Sequence, residues 1–560
     1  MISVRISYPK PERITNAFLP NFVEQWETIV QQKQADAAAK IPQAWRLPAE
    51  FTENVSETTP TNVLDVPRKC GLLSAKQLEI TENYEATALL EQIHSGKYTA
   101  VEVAEAFCLR AAIAQQVTRC LTETFFDLAL ERAKELDEYF QSTGKVRGPL
   151  HGLPISLKDC FNVAGVPSTI GFTAFVAHGP AKSNSSVVQI LLDLGAVLYV
   201  KTNIPQTMMA ADSHNYVFGR TLNPNRTSLS AGGSSGGEGA LIAMRGSILG
   251  VGTDIAGSIR IPAIFDGTFA LRPSIHRIPY GGQTGSGRKG LAGIRPCAGP
   301  LATSVRDLGL FMKLVVDADP WQYDSSTIFS TWRTAPPKET LRLGFILEDP
   351  HFPVHPPILN TLTRAVDALK AAGHEVINLT TPSLKDALLL GFRTFAMDPA
   401  RTAFSHITKS GEPRIPALTT TDLPSADLPY EWAPHTLESL YDLNVQRETI
   451  CEQFRQLIVQ NKIDAIIMPG YQGTAVAHDA VGWVPYTVLA NVLDYPATII
   501  PYRKANKVDD AKYVRDVTYR PPYVADDVEG APCCVQLMGR TMHEEELLRD
   551  TATIANVLGK

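Results

Sequence analysis

Apolar residues recur at helical spacing in the first part of the chain, and short dense apolar runs then begin to alternate with further helical stretches. The spacing predicts helices over 22–40, 85–95 and 126–141, the second stopping at Gly96, and Thr99-Ala-Val-Glu102 forms a capping box that opens another helix. Apolar runs at 154–157 and 196–200 predict strands, with a helix over 184–194 between them. The order returns as a strand at 341–347, a helix over 357–372 and a strand at 375–379. Strands at 464–468 and 534–537 and a helix over 543–558 complete it. Strands alternating with helices predict an α/β fold: a mixed, largely parallel sheet covered by helices on both faces. Residues 1–75, with several prolines, read as an N-terminal helical arm, while 411–434 and 505–532, rich in Pro, Asp and Thr, read as surface excursions. No period of roughly 20 to 50 residues recurs, which argues against a solenoid.

Composition narrows the function classes. At 560 residues, 44% hydrophobic and 20% charged, the chain is long enough to bury a large core. Its 52 basic and 58 acidic residues give a net charge of −6 with no long run of one sign, so no nucleic-acid footprint is present and a small neutral partner fits better. The 8 cysteines are scattered, with Cys533 and Cys534 the only close pair, which favours reduced thiols over a disulfide framework. The N-terminus has no apolar run of signal-peptide length, and no segment approaches the ~20 apolar residues of a membrane span. The chain therefore reads as soluble, cytoplasmic and not secreted.

Candidate chemistry lies in two glycine-rich strings, Ser230-Ala-Gly-Gly-Ser-Ser-Gly-Gly-Glu-Gly239 and Gly252-Thr-Asp-Ile-Ala-Gly-Ser-Ile-Arg260. Glycine clusters cost backbone entropy, so two so close together imply that the backbone itself approaches something. A flexible linker is the plain alternative, but the helical run 240–244 and the strand-like run 248–251 directly follow the first string. Gly233-Ser-Ser235-Gly-Gly237 also spells the G-x-S-x-G nucleophile elbow, which needs a buried strand before it, whereas 223–230 is polar and loop-like. Gly285-Ser-Gly287-Arg-Lys-Gly290 spells a dinucleotide motif without the preceding strand, and Gly250-Val-Gly252 has Ile255 where a third glycine is needed. The 12 histidines are dispersed, with none in a context that suits a base for serine. A lysine can serve if burial keeps it neutral, and Lys158, at the end of the apolar run 153–157, qualifies by position.

Three strings together, Gly152-Leu-Pro-Ile-Ser-Leu-Lys158-Asp, Gly232-Gly-Ser234-Ser-Gly-Gly-Glu-Gly-Ala240 and Gly252-Thr-Asp-Ile-Ala-Gly-Ser258-Ile-Arg-Ile-Pro262, resemble the amidase signature family. The resemblance covers roughly residues 75 to 560 and implies an amidase signature catalytic domain over 76–560. Thr202-Asn-Ile-Pro-Gln206, Phe218-Gly-Arg-Thr-Leu-Asn-Pro224 and Gly530-Ala-Pro-Cys-Cys-Val-Gln-Leu-Met-Gly539 are similar to the fungal acetamidase branch.

The resemblance implies Ser258 as nucleophile, Ser234 as the bridge that passes its proton, and Lys158 as the base. It implies a cis peptide between Gly233 and Ser234, and oxyanion donors in the N–H groups of Ile255, Ala256, Gly257 and Ser258. By family position Met208 lines the acyl pocket near Ser234, and Thr253, Asp254 and Arg260 hold the nucleophile turn. Ala256 departs from the glycine of many members, so its methyl requires a negative φ there.

The implied reaction is hydrolysis of carboxylic amides through an acyl-enzyme, with small amides such as acetamide as expected substrates and a larger or pathway-specific amide as the alternative. No metal or organic cofactor is implied, and a homodimer is compatible with the resemblance. An amidotransferase subunit of the same family and a non-enzymatic binding protein on the same scaffold are the rival readings.

Overall fold

Thr99 caps its helix as its sequence predicts: its Oγ1 accepts from the Glu102 N–H, and Glu102 Oε2 accepts from the Thr99 N–H, both at 3.1 Å. The helix so opened, Ala100–Thr118, also donates the N–H groups of Ala100 and Val101 to the Asp137 carboxylate. Asp137 lies on the next helix, Phe126–Thr143, so the cap ties two helices together. The first turn of Ala86–His94 is answered from a distance: Asp307 accepts from the Ala86 and Thr87 N–H groups at 2.8 and 2.9 Å.

The computed structural model describes residues 20–290, 293–419 and 434–560, so most of the excursion expected over 411–434 lies outside the described residues. The other helices expected from the pattern are present as Pro20–Ala39, Ser186–Asp193, Pro356–Ala371 and Glu544–Val557.

In chain order the strands are β1 (Leu121–Thr124), β2 (Pro154–Lys158), β3 (Val197–Thr202), β4 (His214–Asn215), β5 (Gly219–Arg220), β6 (Leu249–Asp254) and β7 (Phe269–Arg272). They continue with β8 (Cys297–Ala302), β9 (Arg342–Phe345), β10 (Glu375–Asn378), β11 (Ala465–Met468), β12 (Ala497–Lys504) and β13 (Pro532–Met538). Strands β4 and β5 pair with each other, and the other eleven form one mixed sheet in the order β1-β3-β2-β6-β8-β7-β12-β13-β11-β9-β10. The parallel pairing expected from alternating strands and helices holds in two blocks, β3-β2-β6 and β11-β9-β10. Antiparallel ladders through β8, β7, β12 and β13 join the blocks, and β1 closes one edge antiparallel to β3.

One continuous apolar core runs through this sheet and the helices around it. Ile41, Val63, Val66 and Leu73 of the N-terminal stretch belong to it. Lys33 of the first helix and Lys40, just past its end, pair with the buried Glu123 on β1, which fastens that stretch to the sheet edge. None of the eight cysteines is disulfide-bonded. No described helix is long and apolar enough to cross a membrane.

The arrangement that matters for chemistry is the parallel block. Lys158, Thr202 and Asp254 are the last residues of β2, β3 and β6, so three carboxyl ends come together, the usual location of a site in an open α/β sheet.

Candidate active site

Lys158 ends β2 with no solvent exposure, and burial pushes its ammonium down to about 8, against the pull of nearby Cys160, Asp254 and Glu238. Its Nζ stands 2.6 Å from Ser234 Oγ and 2.8 Å from Thr253 Oγ1. Ser234 is delivered by the first glycine string, where the Gly233–Ser234 peptide is cis, as the resemblance implies. A Cβ on Gly233 would come within 2.8 Å of the Ala210 to Asp212 backbone, so only glycine lets the two segments lie this close. The adjacent Ser235 points elsewhere: it is fully buried, with Oγ 3.4 Å from the Thr253 carbonyl, and no strand precedes it. The geometry therefore goes against the elbow.

The second string leaves β6 at Asp254 and turns through Ser258. The Asp254 carboxylate accepts from the Gly257 N–H at 2.8 Å, the Ile259 N–H at 3.2 Å and Arg260 Nε at 3.0 Å. Arg260 in turn reaches Asn491 Oδ1 at 2.7 Å and Gln536 Oε1 at 2.9 Å. Burial alone would raise the Asp254 pKa, but the Arg260 guanidinium and the Asn491 amide hold it at about 2. A buried ion pair thus shapes the turn.

One expectation for this turn changes. The Gly257 N–H, expected to face the oxyanion, is donated to Asp254, leaving Ile255, Ala256 and Ser258 as donors for that reading. Gly257 has φ 127° and Thr487 Oγ1 lies where its Cβ would be, so this position requires glycine. Ala256 is absent from the positive-φ residues, and its methyl is compatible with the turn.

Ser258 is half-buried and opens, with Ser234 and Thr253, into a cavity of about 880 Å³. No hydrogen bond joins the two serine hydroxyls among the described residues, but the Ser235 N–H donates to the Ser258 carbonyl at 3.1 Å and fixes the two strings together. Met208 lines the same cavity, on a backbone where Thr207 and Met208 have φ of 71° and 60°. Two successive non-glycine residues in the left-handed region cost about 1–3 kcal/mol each, which the surrounding contacts must offset. One such contact is Ser286 Oγ donating to the Thr207 carbonyl at 2.7 Å.

Sequence reasoning missed Glu238. It is the only charged residue of the first string and is fully buried beneath the lysine, accepting from Ser156 Oγ and, at 2.6 Å, from Thr202 Oγ1. Burial pushes its carboxyl up to about 7. A lone acid inside a glycine-rich, apolar run was the available signal. Also missed was the rest of the cavity wall, drawn from 275–290, 294–296, 392–404 and His435. It includes Gly285 to Gly290, the string that spells a dinucleotide motif.

The family model described as Amidase matches residues 102–548. The chain belongs to the amidase family. An amidase of Gibberella moniliformis is 40% identical over 533 residues, covering 95% of this chain and 99% of that protein. An acetamidase of Emericella nidulans is 37% identical over 559 residues, covering 96% and 99%. Among solved structures, a fatty acid amide hydrolase superposes with a TM-score of 0.88 at 32% identity, over 96% of each chain. Membership in this amidase signature family makes the protein an amide-hydrolysing enzyme of α/β fold.

Proposed function

We propose that the enzyme cleaves amides through an acyl-enzyme on Ser258, with Ser234 and Lys158 as the proton relay. The observation that carries this reading is the buried Lys158 amine 2.6 Å from Ser234 Oγ, beside a cavity that Ser258 shares. Ser258 Oγ attacks the amide carbonyl as its proton passes to Ser234 and the Ser234 proton passes to neutral Lys158. The oxyanion takes hydrogen bonds from the Ile255, Ala256 and Ser258 N–H groups, whose orientation the Asp254–Arg260 pair fixes in advance. Lys158 returns the proton through Ser234 to the amide nitrogen, the C–N bond breaks and ammonia or an amine leaves. Water then attacks the ester by the same relay, releasing the acid and restoring the Ser258 hydroxyl.

The cavity favours the larger of the two substrate classes. About 880 Å³ lies in the range that encloses drug-sized ligands, far more than acetamide fills. Its walls include Ile278, Ile294, Phe392 and Phe395, which suit an apolar acyl or amine portion. Labelling with a fluorophosphonate tests the nucleophile: Ser258 is the residue modified, and Ser258→Ala loses both label and turnover. Label retained at Ser235 in that variant would refute the assignment. Turnover of simple amides by the purified chain alone would separate this reading from an amidotransferase subunit.

A further inference from the structure

The cavity has a chemically distinct outer end. Arg288, Lys289, Arg295 and Arg401 all line it, with Asp398 the one carboxylate among its described lining residues. In a chain of net charge −6 this is a local reversal of sign. Asp398 is already engaged, accepting from the Ala400 N–H at 3.1 Å and the Thr402 N–H at 2.7 Å, with Arg288 4.0 Å away. Lys289 and Arg295 are exposed and form no ion pair among the described residues. Hydrolysis of an uncharged amide at Ser258 gives these cations nothing to do.

Their position relative to the reacting end is informative. Of the lining residues, Ser234, Thr253, Ile278, Ile294 and Phe392 are buried and Ser258 is half-buried, whereas the four cations are all exposed, at the solvent side of the cavity. Arg288 and Lys289 sit in the glycine-punctuated string 285–290, where a Cβ added at Gly285, Gly287 or Gly290 would meet no atom within 4 Å. Ser286 anchors the loop to the Thr207 carbonyl, while its glycines meet no close neighbour among the described residues, which leaves space beside Arg288 and Lys289. Guanidinium groups pair with carboxylates through two parallel hydrogen bonds, which orients as well as attracts.

We propose that the outer end of the cavity binds a carboxylate on the substrate, so that the preferred substrate is an amide whose apolar body ends in an acidic group. This deepens the amide-hydrolase reading of the same cavity and rests on it. Arg288, Lys289, Arg295 and Arg401 are then specificity residues that hold the far end while Ser258 meets the amide.

The test is a ladder of straight-chain primary amides, each assayed in a neutral form and as its ω-carboxylate counterpart. At the chain length that spans the cavity, kcat/KM for the carboxylate form exceeds the neutral form by about tenfold, the effect of several partly exposed charge pairs acting together. The ratio falls towards one in about 1 M salt, where charges are screened beyond roughly 3 Å. In the doubly substituted Lys289→Glu, Arg295→Glu enzyme the ratio inverts, and an ω-amino amide becomes the better substrate. A neutral amide preferred at every length, a ratio that survives charge reversal, or turnover of neither form overturns the proposal. Fluorophosphonate labelling of Ser258 reads the nucleophile independently, so a failure of the charge preference and a failure of the catalytic reading are distinguishable.

Discussion

Glu238 occupies the space that any side chain at Gly250 would need. A Cβ built on Gly250 would fall on Glu238 Oε1 and within 2.6 Å of Ser156 Oγ. The first glycine string and β6 are therefore complementary, one supplying a buried acid and the other, at Gly250, the gap that admits it. Gly250→Ala is expected to destabilise the fold by about 1–3 kcal/mol through overpacking, read as a lower denaturant midpoint at unchanged slope. An unaltered midpoint would mean that the acid moves aside freely.

In the proposed relay the pH dependence of turnover follows from Lys158. With its amine held at about 8, about a tenth is neutral at pH 7 and half at pH 8. Only the neutral form accepts a proton, so kcat/KM rises with pH through a single ionisation near 8 and then levels. Lys158→Ala should flatten that limb at a very low rate, and Lys158→Arg should be equally inactive because guanidinium stays charged. An active arginine variant would assign the base elsewhere.

Glu238 is also a lever on that limb. Its negative charge raises the Lys158 pKa, so Glu238→Gln, which removes the charge and keeps the shape, is expected to move the midpoint to lower pH. A pH profile superimposable on the wild type would leave Glu238 a purely structural role.

The adjacent serines provide a paired control. Ser234→Ala should lose several orders of magnitude in kcat while folding normally, since it removes the hydroxyl between base and nucleophile. Ser235→Ala, which removes two long 3.4 Å contacts, to the Thr253 carbonyl and from the Thr253 N–H, should stay within about tenfold of wild type. Reversal of that order in a side-by-side assay would reinstate the elbow.

Asp254→Asn tests the turn. It leaves Arg260 buried without its charge partner and is expected to cost about 3–5 kcal/mol, read by chemical denaturation. A loss below about 1 kcal/mol would show that Asn491 and Gln536 suffice to neutralise the arginine.

Much of the fold was legible because its periodicity is local. The Thr99 capping box and the apolar runs at β2 and β3 carry their own signals, and the three strings named Lys158, Ser234 and Ser258 before any geometry was known. Strands β7, β8 and β12 escaped notice for physical reasons. β8 reads Cys-Ala-Gly-Pro-Leu-Ala, with glycine and proline where strand formers are usual, and is a strand because β6 and β7 pair with it on either side. The cavity wall was illegible for a different reason. Arg288 and Arg401 are more than a hundred positions apart, and no local pattern says that their loops share a rim. The diversion of the Gly257 N–H to Asp254 was equally hidden, since a sequence names donors without naming which acceptor each one finds.

The sealing of Lys158 also decides which reagents can see the active site. An amine with no solvent-exposed surface, covered by the Ser234 and Thr253 hydroxyls, is hidden from acylating and arylating agents that modify surface lysines. The chain's exposed lysines could be blocked while Lys158, like the equally buried Lys201, stays untouched, and the proposed relay would keep working under a coat of modified side chains. Inactivation by such reagents would then report damage at the charged mouth of the cavity, where Lys289 is exposed, and not at Lys158.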